Sequence, residues 1–301
     1  MSSMQVTVAP VEPLPEEELA RRPSGGLAYR LLHDASALVG GTIVLCICLA
    51  ALVAVVWTPY DPLAVDPSHA LQPSSWNHLF GTDEYGRDVL SRLLAGAKLI
   101  LYSGAVSVAI AVAAGVPLGL AAAIRGGLID DALMRFVDLI YAFPALLAAI
   151  VLAAAVGAST TSAMIAIGVA YVPVFARVTR SSALQVVGSE YVLAARAYRR
   201  STLAILWRHV LPNIRATLIV QMSLLFSLAI LAEAGLSYLG LGTPPPEPSW
   251  GRMVEEAQSY LSRDPMLAIW PGIFIAIAVL GFNLLGDGLR DVLDPRLRSS
   301  R

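Results

Sequence analysis

Residues 190–213 read EYVLAARAYRRSTLAILWRHVLPN, and the reading of this stretch decides what kind of chain this is. Tyr191, Ala194, Ala195 and Tyr198 recur at helical spacing on one face, while Arg196, Arg199 and Arg200 fall on others. The segment lies between two apolar runs. A plain connection between membrane spans needs no such face. The pattern suits a short helix at the membrane surface that offers one side to another protein.

The composition supports a membrane setting. The 301 residues are 56% hydrophobic and 14% charged, against about 25% charged in an average soluble domain. Cys46 and Cys48 lie two apart in the first apolar run. On a helix that spacing points them to different faces, so they cannot bridge each other and read as small buried apolar residues.

Working outward, six runs are long enough to be spans, at about 35–57, 100–124, 136–156, 162–176, 216–236 and 267–285. The fold class expected is all-α: a polytopic membrane protein of six transmembrane helices with a cytoplasmic helix between two of them. The organisation expected is an N-terminal tail 1–35, a first span 36–57 and an extracytoplasmic loop 58–98 holding an amphipathic helix. A five-helix core 99–289 follows, including the 188–213 loop, and then a tail 290–301. The polar start, with Glu16–Glu18 and Arg21–Arg22, does not resemble a cleavable signal peptide.

Basic residues give the orientation. With six spans and the N-terminus inside, sixteen of the twenty-one lysines and arginines are cytoplasmic, and only Arg87, Arg92, Lys98, Arg252 and Arg263 lie outside. Both termini and the 190–213 stretch are then cytoplasmic, in a multi-pass protein of the cell's inner or plasma membrane that contacts lipid. The 242–265 loop, with Pro244–Pro246, Pro248 and Trp250, is expected to be rigid.

No phosphate-binding loop can be built around Lys98, the only lysine. No metalloprotease, serine-hydrolase or Cys/His metal motif is present either. Catalytic residues, metal ligands, a cofactor of its own and a nucleic-acid partner are therefore not expected. His78, Asp83, Glu84 and Asp88 could be imagined around a metal, but the better reading has Thr82 or Asp83 capping a helix and Gly86 easing a turn. Among apolar runs, each ionisable group is informative. Asp138 is expected to pair near Arg135. Glu233 and Asn283 are candidates for a gate or pathway, with structural roles in helix packing as the alternative for both.

The 190–213 stretch resembles the EAA loop of bacterial ABC importer permeases: Glu-Ala-Ala, three residues, Gly, nine residues, Ile-x-Leu-Pro. Ala194, Ala195, Leu211 and Pro212 match, while Leu193 stands in place of Glu and Arg199 in place of Gly. FGTDEYGRDVLSRLLAGAK, YVLAARAYRRS, RHVLPN, LAEAGLSYLGLGTPPPEPSWG and NLLGDGLRDVLDPRLR look like hallmarks of the C-type permease of dipeptide and oligopeptide importers. The resemblance runs from about 38 to 298. It implies a type I importer permease that pairs with a second permease, receives solute from an extracytoplasmic binding protein, and couples to separate ATPases that bind ATP and magnesium.

The coupling residues implied are Tyr191, Val192, Leu193, Ala194, Ala195, Arg196, Tyr198, Arg199, Ser201, Arg208, His209, Leu211 and Pro212. Arg199 in a left-handed turn would cost about 1 kcal/mol or more, so the expectation is either a right-handed turn that makes one longer helix or a different ATPase partner. Peptide uptake is the leading function. The same machinery for a nickel chelate, haem, a sugar derivative or an opine-like solute remains open, as does a scaffold that has lost coupling. An intramembrane enzyme built on Glu233 and Asp287 would need those groups to converge.

Overall fold

The computed structural model describes residues 27–293; the tail to residue 26 with its acidic cluster, and residues from 294 on, lie outside that range. Helices α1 (Leu27–His33) and α2 (Ala35–Val56) open the fold, and Asp34 caps α2 by accepting from the Ala37 N–H at 2.8 Å. After a loop come α3 (Val89–Arg125), α4 (Gly127–Tyr141), α5 (Ala145–Val156) and α6 (Thr160–Val187). Next are α7 (Glu190–Ala197), α8 (Thr202–Ile205), α9 (Leu211–Tyr238), α10 (Trp250–Ala257) and α11 (Met266–Leu293). No strand forms among the described residues.

Among the described residues, five helical stretches are long and apolar enough to cross a membrane: α2, α3, α6, the continuous Thr202–Tyr238 rod and α11. The pair α4–α5, bent by 78°, makes a sixth pass when counted together. The expected single span 136–156 is thus broken. Pro144 has no N–H to donate and disfavours helical backbone at Phe143 just before it. The 162–176 run, the shortest expected, is in fact a 28-residue helix. Its polar end, to Val187, hid its length.

The core sits where α3 and α6 press together. A methyl group on Gly115 would lie 2.5 Å from Phe175 Cβ, and one on Gly119 2.4 Å from the Ala176 carbonyl oxygen. Small residues let the two backbones approach, the usual device where lipid gives no hydrophobic drive. By contrast, α2 fully buries only one stripe, Ala37, Gly40, Ile47 and Ala51, with Ile43 and Val44 half-buried beside it and much of the remaining surface bare. Cys46 and Cys48 are exposed on that bare surface, not buried as expected.

The amphipathic helix expected within 80–99 does start, at Val89, but it runs straight on into the next span and does not end in the loop. Residues 80–99 are thus a folded loop and then the first turns of α3, capped by Asp88 and not by Thr82 or Asp83. Asp88 Oδ2 accepts from the Ser91 N–H at 2.8 Å, and His78 Nδ1 lies 2.9 Å from Asp88 Oδ1. Gly86 does ease the turn: at φ +77°, a Cβ there would sit 1.8 Å from the Asp66 carbonyl oxygen. The proline-rich 242–265 loop contains α10, which the sequence reading did not anticipate.

Candidate functional site

The 190–213 stretch sits at the end of the bundle where α3, α6 and α11 finish and α2 begins. Helix α7 is fixed by Val192, fully buried among Phe175, Ala183, Ile205, Val210 and Ile214. One apolar side chain thereby ties the short helix to α6 and α9. Val192 was expected among the coupling contacts, but it faces the core; an alternating position on an amphipathic helix has to go one way or the other.

Helix α7 ends in a Schellman turn. The Arg199 N–H donates to the Arg196 carbonyl at 2.9 Å and the Arg200 N–H to the Ala195 carbonyl at 3.2 Å. Arg199 itself holds φ +54°. The left-handed corner that glycine would occupy is kept by an arginine, at about 1 kcal/mol or more of backbone strain. The alternative of one longer helix is not what forms. Ser201 then caps α8, accepting from the Ala204 N–H at 3.3 Å.

A wide π-helical turn, Leu206–Val210, joins α8 to α9. The Pro212 ring opposes the carbonyl four residues back, that of Arg208, and the turn widens so that the Leu211 N–H donates to Leu206 instead. Leu211 and Pro212 therefore set the direction of the next span.

Between α7 and this turn lies an open cleft of about 590 Å³. Tyr191, Ala194, Ala195 and Tyr198 form one side, and Arg200, Ala204, Ile205, Arg208 and His209 the other. The Tyr191 and His209 rings face each other across it at 6.1 Å. Leu193, Arg196 and Arg199 are exposed away from the cleft lining. Arg200, Ala204 and Ile205 were missed by the sequence reading. The αL corner at Arg199 folds them back against α7, and only the turn geometry reveals it.

The opposite end of the bundle carries a closed quartet of charges. Asp83 Oδ2 accepts from Arg87 Nε at 2.6 Å and from Arg92 Nη1 at 2.7 Å. Glu256 Oε2 accepts from Arg92 Nη2 at 2.8 Å and Arg87 Nη2 at 3.2 Å. Asp83, Arg87 and Arg92 are buried. Of the residues imagined around a metal, Asp83 is thus engaged with two arginines, while His78 and Asp88 bond each other. Nearby, burial pushes the Glu84 carboxyl up to about 7, helped by the charges of Asp83 and Glu256. Arg87, 3.6 Å away, opposes this only weakly because it is committed to the two other carboxylates. Trp250, fully buried, donates from Nε1 to the Leu93 carbonyl at 2.8 Å and locks α10 onto α3.

Glu233 is 1% exposed and accepts from Ser237 Oγ at 2.7 Å, while Thr243 Oγ lies 3.5 Å away. Both contacts lie at the end of α9 and in the turn after it, as the structural alternative expects. The Asn283 side-chain Oδ1 accepts from Ser227 Oγ at 2.7 Å, an α9–α11 packing bond. Asp287 lies beyond Asn283 on antiparallel α11, roughly 15 Å from the level of Glu233 along the helix axes. These groups do not converge. Asp138 pairs with Arg177 of α6 at 2.6 Å and not with Arg135.

Comparison with known proteins places this architecture. Residues 115–299 match the description of the binding-protein-dependent transport system inner membrane component. The chain belongs to that family. Residues 26–73 of this inner membrane component also match the N-terminal transmembrane domain of oligopeptide transport permease C. A putative peptide transport system permease protein of Brucella abortus is 43% identical over 93% of the chain and 95% of its own length. The dipeptide transport system permease protein DppC of Alkalihalophilus pseudofirmus is 38% identical over 98% and 97%. Among solved structures, the inward-facing MetNI methionine ABC transporter aligns with a TM-score of 0.56 at 18% identity, covering 67% of this permease and 96% of that chain. That likeness concerns the fold.

Proposed function

We propose that this permease is one of two unlike membrane subunits of an importer for di- or oligopeptides, driven by separate ATPases docked on its 190–208 cleft. The observation that carries the proposal is the cleft itself. A tyrosine- and alanine-lined surface, built by a capped and sharply turned pair of helices, faces away from the bundle in a chain of a transport-component family. The names of its relatives support peptides as the solute.

The cleft can pass on movement. ATPase closure displaces α7, and Val192 transmits the displacement to α6 and α9, whose packing makes them move as rods. The distribution of arginines supports a cytoplasmic position for both termini and the cleft. An extracytoplasmic binding protein delivers solute at the end where the Asp83–Glu256 quartet holds α10. The intact Schellman turn and Ser201 cap support a competent dock over a damaged scaffold.

The test is purification of the tagged chain from native membranes, combined with uptake of a radiolabelled dipeptide in cells lacking it. Co-purification of a second permease and an ATPase, with loss of uptake on deletion, is expected. Recovery of the chain without an ATPase would refute the proposal.

A further inference from the structure

Segment 188–215 holds five arginines, at 196, 199, 200, 208 and 215, against one acid, Glu190. All five arginines are exposed. The ion pairs among the described residues use other arginines: Arg87, Arg92, Arg177, Arg180 and Arg252 each meet a carboxylate within 4 Å. The segment's own guanidiniums meet none there. Two of them, Arg200 and Arg208, stand in the wall of the cleft. A third, Arg199, is kept in a left-handed conformation that favours glycine.

We infer that the protein segment filling this cleft is acidic, with carboxylates that meet Arg200 and Arg208 while an apolar or aromatic side chain rests on Ala194, Ala195 and Ala204. The inference rests on the proposed ATPase dock and specifies the chemistry of its partner surface. Guanidinium forks bind carboxylates in a planar, two-bond geometry, so an acidic partner gains register as well as attraction. Anionic lipid headgroups share the carboxylate's charge. The concave shape favours an inserted protein segment, because headgroups at a membrane surface are met as well by any exposed arginine, Arg215 included.

The experiment measures retention of the co-purifying ATPase on the full complex in phosphatidylcholine nanodiscs, with and without phosphatidylglycerol, across salt. The variants are R200E/R208E, R200K/R208K, R215Q and A195W. R200E/R208E is expected to weaken retention by roughly tenfold at low salt, in both lipid compositions. The difference should fade at about 1 M salt, where the Debye length is about 3 Å. R200K/R208K should retain most binding and R215Q all of it.

Equal effects of R215Q and R200E/R208E, or effects seen only with phosphatidylglycerol, would overturn the inference in favour of diffuse or lipid electrostatics. A195W separates the two levels. If it releases the ATPase while R200E/R208E does not, the dock stands and its acidic partner is refuted. If it releases nothing, the dock itself fails.

Discussion

Arg92 donates through Nη2 to Glu256 Oε2 at 2.8 Å, a bond between residues 164 apart in sequence that fastens α10 to the first turn of α3. With Asp83 and Arg87 it closes a ring in which each arginine serves both carboxylates. The ring balances two positive and two negative charges in a buried place. Removing one member is therefore worse than its own bonds suggest.

Arg92→Ala leaves Asp83 with Arg87 alone, and Glu256 with the longer contacts of Arg87 and Arg252 at 3.2 and 3.3 Å. The expected loss is roughly 3 kcal/mol of stability, the scale for breaking a buried pair from one side. Thermal unfolding of the purified protein in nanodiscs measures it. A loss within about 0.5 kcal/mol, ordinary for a surface change, would show that the ring is not enclosed.

Glu84 gives a pH dependence. Its carboxyl is raised by burial from the ordinary value to about 7 in the folded protein. A group raised on folding contributes stability that is complete below its unfolded pKa and is lost as pH rises through the folded one. The packing of the 80–88 loop on α10 should thus weaken between about pH 5 and pH 8. Corrected for the intrinsic, base-catalysed increase of amide exchange with pH, the opening of that loop read by hydrogen exchange should rise over this range in the native protein and stay flat in Glu84→Gln. The same rise in both proteins would assign it elsewhere.

Arg199→Gly relieves the left-handed strain and should raise stability by about 1 kcal/mol, since the Schellman bonds are made by backbone alone. Uptake should persist, because the turn is already formed. A large gain in uptake on Arg199→Gly with Leu193→Glu would instead mark the native segment as impaired.

The spans were legible because runs of apolar residues have few alternatives in a chain this poor in charge. The face Tyr191–Ala194–Ala195–Tyr198 was legible from its spacing, and all four residues do line one cleft. What was not legible depended on distant contacts. Val192 looks like its neighbours until α6 and α9 surround it. Arg87 and Arg92 read only as basic residues of the outer side, because Glu256, their shared partner, lies far away in sequence. Cys46 and Cys48 read as buried, because an apolar run does not say which face meets protein and which meets lipid. Trp250 looked like part of a stiff loop, although a tryptophan beside Ser249 was already a capped helix start: Ser249 Oγ accepts from the Arg252 N–H at 3.2 Å.

Ala195→Trp fills the cleft from its alanine side. Ala195 is only partly exposed and packs beside the Val192 cluster, so the ring has to project into the open space. Uptake should fall at least tenfold while the amount of inserted protein, read by immunoblot of membranes, stays the same. Full uptake would place the ATPase on another face.

The most direct test is a cross-link. Cys46 and Cys48 are exposed and must first be replaced by alanine. Ala195→Cys in that background, treated with a short bifunctional thiol reagent in membranes holding the whole complex, should join the chain to an ATPase subunit carrying single cysteines along its docking surface. The yield should differ with and without ATP. Absence of any adduct with the ATPase in every nucleotide state would contradict the account.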